Sequence, residues 1–557
     1  MTSVIAAPAS ERPPVPPGAP PRPPRHRDRL RRRRVPRPLL LGALVATVAV
    51  VLPLGFLVAQ AVQVGWSTLD PLLFRSLTAQ LLWNTVSLTV VVTILCALIG
   101  TLLAWFIERT RLPGRRYWAV LVVIPLGIPD FVVSFGWRAI FPAFSGFWAA
   151  VLVMTLAVYP LVFLPVAASL RNADPAQEEV ARSLGLGRVA TFCRVTLGQA
   201  RLAVLGGAVL VGLVVLAEFG AFEILGYQTL TTEIYNEFQV GFNEPAACAL
   251  SVILVLLGGL LLASEDAVRG HGRTSRVGAG AARRSRPVPL GRGRPAVLTG
   301  AVLLVVLALG VPVGAIIYLM VQGGNTTLPP ASLLIATGNT FAYAAAAGVV
   351  ATLAALPIAL LSVRYARPRV IALQRTNMLV LAVPGLVIAL SFTYLTEHFL
   401  QGRFYQTSPL LVLVYAIMFF PLAVVSVRAA VARSPVGLEE VGSSLGVRRR
   451  SVLWRVTLPL IGPGLGAAFA LVFLETATEL TATLVLHPTN VETLATQFWA
   501  YQSNLSYSQA APYAGIMVLI AAVPGYVLGR WFDRQPERAA LAGVPMPAPG
   551  PTTLVAA

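Results

Sequence analysis

The chain has 557 residues, 56% of them hydrophobic and 12% charged, with a mean hydropathy of +0.75 and a net charge of +20 at pH 7. These values exclude a soluble globular protein and define an integral membrane protein. Three isolated cysteines and four scattered histidines give no disulfide framework, zinc site or catalytic cluster, and neither a GxxxxGK[ST] loop nor a GxSxG elbow is present.

Residues 1–37, with PPVPPGAPPRPPRHRDRLRRRRVPR, are rich in Pro and Arg and too poor in apolar residues to fold. They read as a disordered basic arm beside anionic lipid headgroups, with no role in nucleic-acid binding. A helix needs roughly 20 apolar residues to cross ~30 Å of hydrocarbon. Six such runs lie near 38–62, 82–107, 117–137, 147–170, 202–225 and 246–263, and six more near 297–320, 338–363, 376–396, 409–427, 461–486 and 511–529. The expected domains are a first six-span repeat over 38–263, a basic Gly-rich cytoplasmic linker over 264–296, a second repeat over 297–530 and a cytoplasmic tail over 531–557.

All 43 basic residues are Arg, and positive charge is retained on the cytoplasmic side. With the N-terminus inside, 40 of them fall in or beside inside segments, and only Arg75, Arg138 and Arg403 fall outside. Both termini are therefore expected in the cytoplasm of a multi-pass cell-membrane protein.

EEVARSLGLGRVATFCRVTL (178–197) returns 261 positions later as EEVGSSLGVRRRSVLWRVTL, with 11 of 20 residues identical. The same offset pairs Pro160 with Pro421 and Glu218 with Glu479, and an offset of 255 pairs NTVS (84–87) with NTFA (339–342) and Pro129 with Pro384. The chain is thus a tandem duplication, and both copies keep one orientation, as in parallel repeats. Within each copy, Asp174-Pro175 and Ser434-Pro435 read as helix starts, with Gln177 at capping-box spacing in the first. Val180 and Leu184, like Val441 and Leu445, share one helix face. Gly185 and Gly446 stand where a short helix ends in a left-handed residue. Each copy therefore predicts a helix–Gly–helix elbow on the cytoplasmic surface.

The spacing Glu-x5-Gly, nine residues, then Val-x-Leu-(Pro) resembles the EAA signature of ABC importer permeases. The second copy fits through Leu458-Pro459, whereas Gly198 replaces the Pro in the first, and both have Val where the family has Ala. The resemblance implies an all-α membrane fold of about twelve transmembrane helices in two tandem six-helix repeats. It also implies coupling helices, carried by Glu178, Glu179, Gly185 and Leu197 and by Glu439, Glu440, Gly446, Leu458 and Pro459. Each would dock on one of two copies of an ABC ATP-binding subunit, and a solute-binding protein would deliver the cargo outside. The chain itself would be no enzyme and bind no cofactor, because ATP is used by the partner.

FLETATELTATLVLHPTNVETLATQFW (473–499) resembles ferric-iron importer permeases, as does AEFGAFEILGYQTLTTEIY (217–235). Thiamine, phosphonate and other small-solute importers share the fused architecture, and a proton-coupled secondary transporter is the more distant alternative. Ionisable groups inside a span are costly and tend to face a polar path. Glu218, Glu479 and Glu475, one turn before Glu479, are the candidate path residues, in competition with a plain role as helix-end groups with backbone partners. Prolines 125, 129, 160 and 384 are expected to kink their helices, and AYAAAAGVVATLAA (342–355) to be a packing surface.

Overall fold

The computed structural model describes residues 36–173, 175–269, 289–322, 330–365 and 368–522. All but the last two residues of the basic arm, most of the linker and the tail lie outside these residues, as does the predicted cap at Asp174, and Arg37 already opens the first helix. Every element among the described residues is a helix. Eight are long and apolar enough to cross a membrane, or eleven spans if each of three bent helix pairs counts as one. The expected span over 511–529 is helical through residue 522, where the described residues end.

Apolar run length predicts where the spans lie but not where they break. Residues 117–137 and 376–396, expected as single kinked spans, are helix pairs folded back by 91° and 101° next to Pro129 and Pro384. The second half is also bent by 56° ahead of Pro421, between Ser408–Met418 and Phe420–Arg433. The runs 202–225 and 461–486 break as well: the long helices are Leu197–Ala217 and Leu458–Ala477, and short helices follow at Gly220–Ile224 and Thr481–Leu486.

Within the first half, the helices Ser76–Arg109, Pro160–Asn172 and Leu197–Ala217 pack on one another, and Pro330–Arg364, Phe420–Arg433 and Leu458–Ala477 repeat the arrangement in the second. The close approach in the second half depends on one alanine face. Ala344, Ala347, Ala351, Ala355 and Ala359 recur at helical spacing on Pro330–Arg364 and are fully buried. In lipid, where apolar surface alone does not drive helices together, such small residues permit the backbone proximity that packing requires.

The first helix of each half packs on the opposite half. Arg37–Val64 lies against Pro330–Arg364 and Gly385–Phe399, while Val311–Gln322 lies against Asp130–Ile140. Polar bonds mark the first crossing: Asn377 Nδ2 donates to Thr47 Oγ1 at 2.8 Å, and the Tyr394 hydroxyl donates to Gln63 Oε1.

A second pair of cross-half contacts depends on glycine. A Cβ on Gly258 would stand 2.2 Å from the Ala382 carbonyl oxygen, and one on Gly127 would stand 2.8 Å from that of Ala521. Gly258→Ala therefore forces a helix away from a folded-back turn, at an expected cost of about 1–3 kcal/mol. Gly259→Ala is the control, because a Cβ there meets nothing within 4 Å. Thermal unfolding of the purified permease should show a loss for the first substitution and none for the second, and equal midpoints would contradict the contact.

Candidate functional site

The elbows form as the spacing predicts. Their short helices are Pro175–Ser183 and Val436–Ser444. Gly185 and Gly446 follow with φ of +86° and +76°. The Leu186 amide donates to the Ala181 carbonyl at 3.1 Å, and Val447 to Gly442 at 3.1 Å, a Schellman closure in both copies. One detail differs from expectation in the second copy. The helix starts at Val436, and the Ser434 hydroxyl, read as its cap, is buried without a hydrogen-bond partner.

The apolar face of each elbow is turned outward. Val180 and Leu184 are 56% and 78% exposed, and Val441 and Leu445 are 56% and 76% exposed. Glu179 and Glu440 are exposed too. Each elbow thus presents a small apolar knob on its outer face, equivalent in the two copies.

Glu178 and Glu439 turn inward, a placement the sequence did not distinguish from that of Glu179 and Glu440. Glu178 turns inward to Arg109 at 3.5 Å and accepts a hydrogen bond from the Thr196 hydroxyl at 3.0 Å. Glu439 accepts from Arg364 at 2.8 Å and from Thr457 at 3.3 Å. Arg109 and Arg364 end the second long helix of each half, and Thr196 and Thr457 close the π-helical turns Phe192–Thr196 and Leu453–Thr457. Such turns are rare and recur at functional positions. The repeated Arg-Val-Thr-Leu is thereby explained: its Thr anchors the elbow, and its Leu, Leu197 or Leu458, begins the next long helix, half-buried. Pro459, directly after, is exposed.

Between the halves lies a cavity of about 470 Å³. Its walls include Leu213, Val214, Val380, Ile388, Phe419 and Leu474, and four carboxylates line it: Asp130, Glu218, Glu475 and Glu479. No Arg or His is among the lining residues.

Glu218 and Glu479 occupy equivalent places where the long helices break. Each is a helix-end group with a backbone partner that also lines the cavity. Glu218 Oε1 accepts from the Ala221 amide at 2.7 Å, and Glu479 Oε1 accepts from Ala482 at 3.0 Å, so each carboxylate caps the short helix that follows while facing the cavity. Their backbone carbonyls accept from the Thr231 and Thr483 hydroxyls at 2.6 and 2.7 Å.

Asp130 and Glu475 break the pseudo-symmetry. The counterpart of Asp130 is Gly385, where a Cβ would come within 2.4 Å of Met418 Cε and 3.5 Å of Glu479 Oε1. The counterpart of Glu475 is Val214. Asp130 is the cavity-lining carboxylate that sequence reasoning missed, although an acid directly after a proline inside an apolar run was the available signal. Among the described residues no group of three or more His, Cys, Asp or Glu is arranged to hold a metal ion.

Two halves of one fold, folded-back turns meeting at an acidic cavity and paired elbows are the architecture of a membrane permease. The chain matches the pattern of the binding-protein-dependent transport system inner membrane component over residues 100–269 and again over 355–538, and it belongs to that family, the permeases of ABC importers. It is 36% identical to the Fe(3+)-transport system permease protein FbpB 2 of Haemophilus influenzae over 90% of this chain and 99% of that protein. It is 28% identical to the sulfate transport system permease protein CysT of Escherichia coli over 42% of this chain and 92% of that protein. With the spermidine/putrescine transport system permease protein PotB of Haemophilus influenzae it shares 26% identity over 34% of this chain and 74% of that protein.

Proposed function

We propose that this chain is the membrane-spanning subunit of an ATP-driven importer for ferric iron. The observation that carries the cargo class is the cavity lining, with four carboxylates and no basic residue. Anionic solutes such as phosphonate are repelled by such a wall, whereas a hard cation is drawn to carboxylate oxygen. Similarity along nearly the whole chain to a Fe(3+)-transport permease favours iron among cations.

In this reading the repeats, over 38–263 and 297–530, rock between inward-open and outward-open states. Both termini are cytoplasmic. A solute-binding protein releases cargo into the outward-open cavity. Two copies of an ATP-binding subunit grip the two elbows, one each, through Val180 and Leu184 and through Val441 and Leu445. Closure of the ATP-binding pair moves the elbows, and the Glu178 and Glu439 braces carry that movement to the long helices.

The test is ATPase stimulation of the reconstituted complex by the solute-binding protein, compared empty, iron-loaded and thiamine-loaded. Stimulation by the iron-loaded form alone is expected; stimulation by another cargo retains the importer and discards iron. Leu184→Asp with Leu445→Asp should abolish assembly with the ATP-binding subunit, as read by co-purification, because each places a charge in an apolar contact. Retained co-purification would refute docking through these knobs.

A further inference from the structure

Glu479 faces a second space besides the central cavity. Behind it is a side chamber of about 10 Å³, room for one water, lined by Thr340, Tyr343, Tyr415, Thr476, Thr493 and Glu479 itself. Thr476 is 5% exposed, and its hydroxyl has no hydrogen-bond partner among the described residues. Buried hydroxyls are rarely left so, and an enclosed water is the usual partner. The chamber has an outer end as well: the Tyr343 hydroxyl lies 2.7 Å from the hydroxyl of Ser408, an exposed residue.

The first half lacks this arrangement. At the positions equivalent to Tyr343, Tyr415 and Thr476 it has Leu88, Met154 and Val215, all buried at 2% exposure or less. Three of the hydroxyls that line the chamber beside Glu479 are thus replaced by apolar side chains in the first half, which keeps Thr85 and Thr229 at the places of Thr340 and Thr493.

We infer that the side chamber holds one ordered water that joins Thr476 to Glu479 and continues through Tyr343 to Ser408, giving Glu479 a proton-exchange route that Glu218 lacks. The transfer balances along the chain. A proton leaving the Glu479 carboxyl passes to the water, the water gives one of its own to the Tyr343 hydroxyl, and that hydroxyl releases its proton towards Ser408. Tyr415 is held out of the relay, because its hydroxyl is 2.6 Å from Thr483 Oγ1, which itself donates to the Glu479 carbonyl. The titratable groups facing Glu479 are Glu475 from the end of the preceding Leu458–Ala477 helix, Glu218 from the first half and Tyr415 from the Ser408–Met418 helix. Asp130 stands beside both Glu218 and Glu475. None of these is cationic, so the charge of Glu479 depends on proton supply rather than on a fixed partner. The inference concerns the carboxyl alone and holds whatever the cargo.

Infrared difference spectroscopy of the purified full-length permease tests it. The carbonyl band of protonated Glu479 is assigned by its loss in E479Q, and its shift on transfer to D2O is followed in time. The wild-type band is expected to exchange readily. In T476V, which copies the first-half residue, and in Y343F, which cuts the outer end, exchange should slow to the rate that the central cavity alone allows, well below that of the wild type. Y343F leaves the inner packing intact if T476V fails to fold. Exchange at the wild-type rate in either variant would overturn the inference.

Discussion

Glu178→Ala is expected to cost the permease about 3–5 kcal/mol, because it leaves a guanidinium buried without its counter-charge. Arg109 is 5% exposed and Glu178 7%, and Arg109 Nε and Nη2 already lack hydrogen-bond partners. The equivalent change in the second half should cost less. Glu439 is 21% exposed, and Arg364 keeps a hydrogen bond to the Ser434 carbonyl at 3.1 Å, so about 1–3 kcal/mol is expected there. Thermal unfolding midpoints of the two variants should therefore separate, with Glu178→Ala the lower. The same variants should lose stimulation of ATPase by the loaded binding protein while still co-purifying with the ATP-binding subunit, since the apolar knobs are untouched. Equal destabilisation would show the braces to be energetically equivalent, contrary to their unequal burial.

The second large effect is expected from Glu218→Gln combined with Glu479→Gln. Glutamine retains an oxygen that can cap Ala221 and Ala482, so the helix breaks persist while two negative charges leave the cavity. Uptake of a cation by the reconstituted transporter should fall by at least about tenfold, the equivalent of 1.4 kcal/mol of lost attraction. Alanine at the same positions removes cap and charge together and should also lower stability. Uptake unchanged in the double Gln variant would remove the acidic cavity from the transport route.

The sequence made the spans and the elbows legible because each depends on a local pattern: an apolar run of sufficient length, or a Gly at the left-handed end of a short helix. The breaks after Ala217 and Ala477 were hidden, since the apolar run continues across them and only the carboxylate–amide caps, made three residues on, end the helix. The division of labour within each Glu pair was hidden for a related reason. Glu178 and Glu179 are neighbours in sequence, and which of them turns inward is decided by Arg109 and Thr196, 69 positions before and 18 after. Duplication exposed Glu218 and Glu479 as candidates but worked against Asp130, whose counterpart is Gly385 and which no repeat comparison would select.

The crossing of the first helices bears on how the molecule is made. Arg37–Val64 is synthesised and inserted early, yet the surface that receives it, on Pro330–Arg364 and Gly385–Phe399, does not exist until the second half emerges. Until then that helix has only first-half neighbours such as Glu244–Arg269 to pack on, and the first half cannot reach its final packing by itself. Joining the halves in one polypeptide turns this wait into an intramolecular search, in which the receiving surface arrives tethered and at high effective concentration. A gene split at the central linker would leave two products, each carrying the other's missing helix, with assembly governed by a bimolecular encounter in the bilayer.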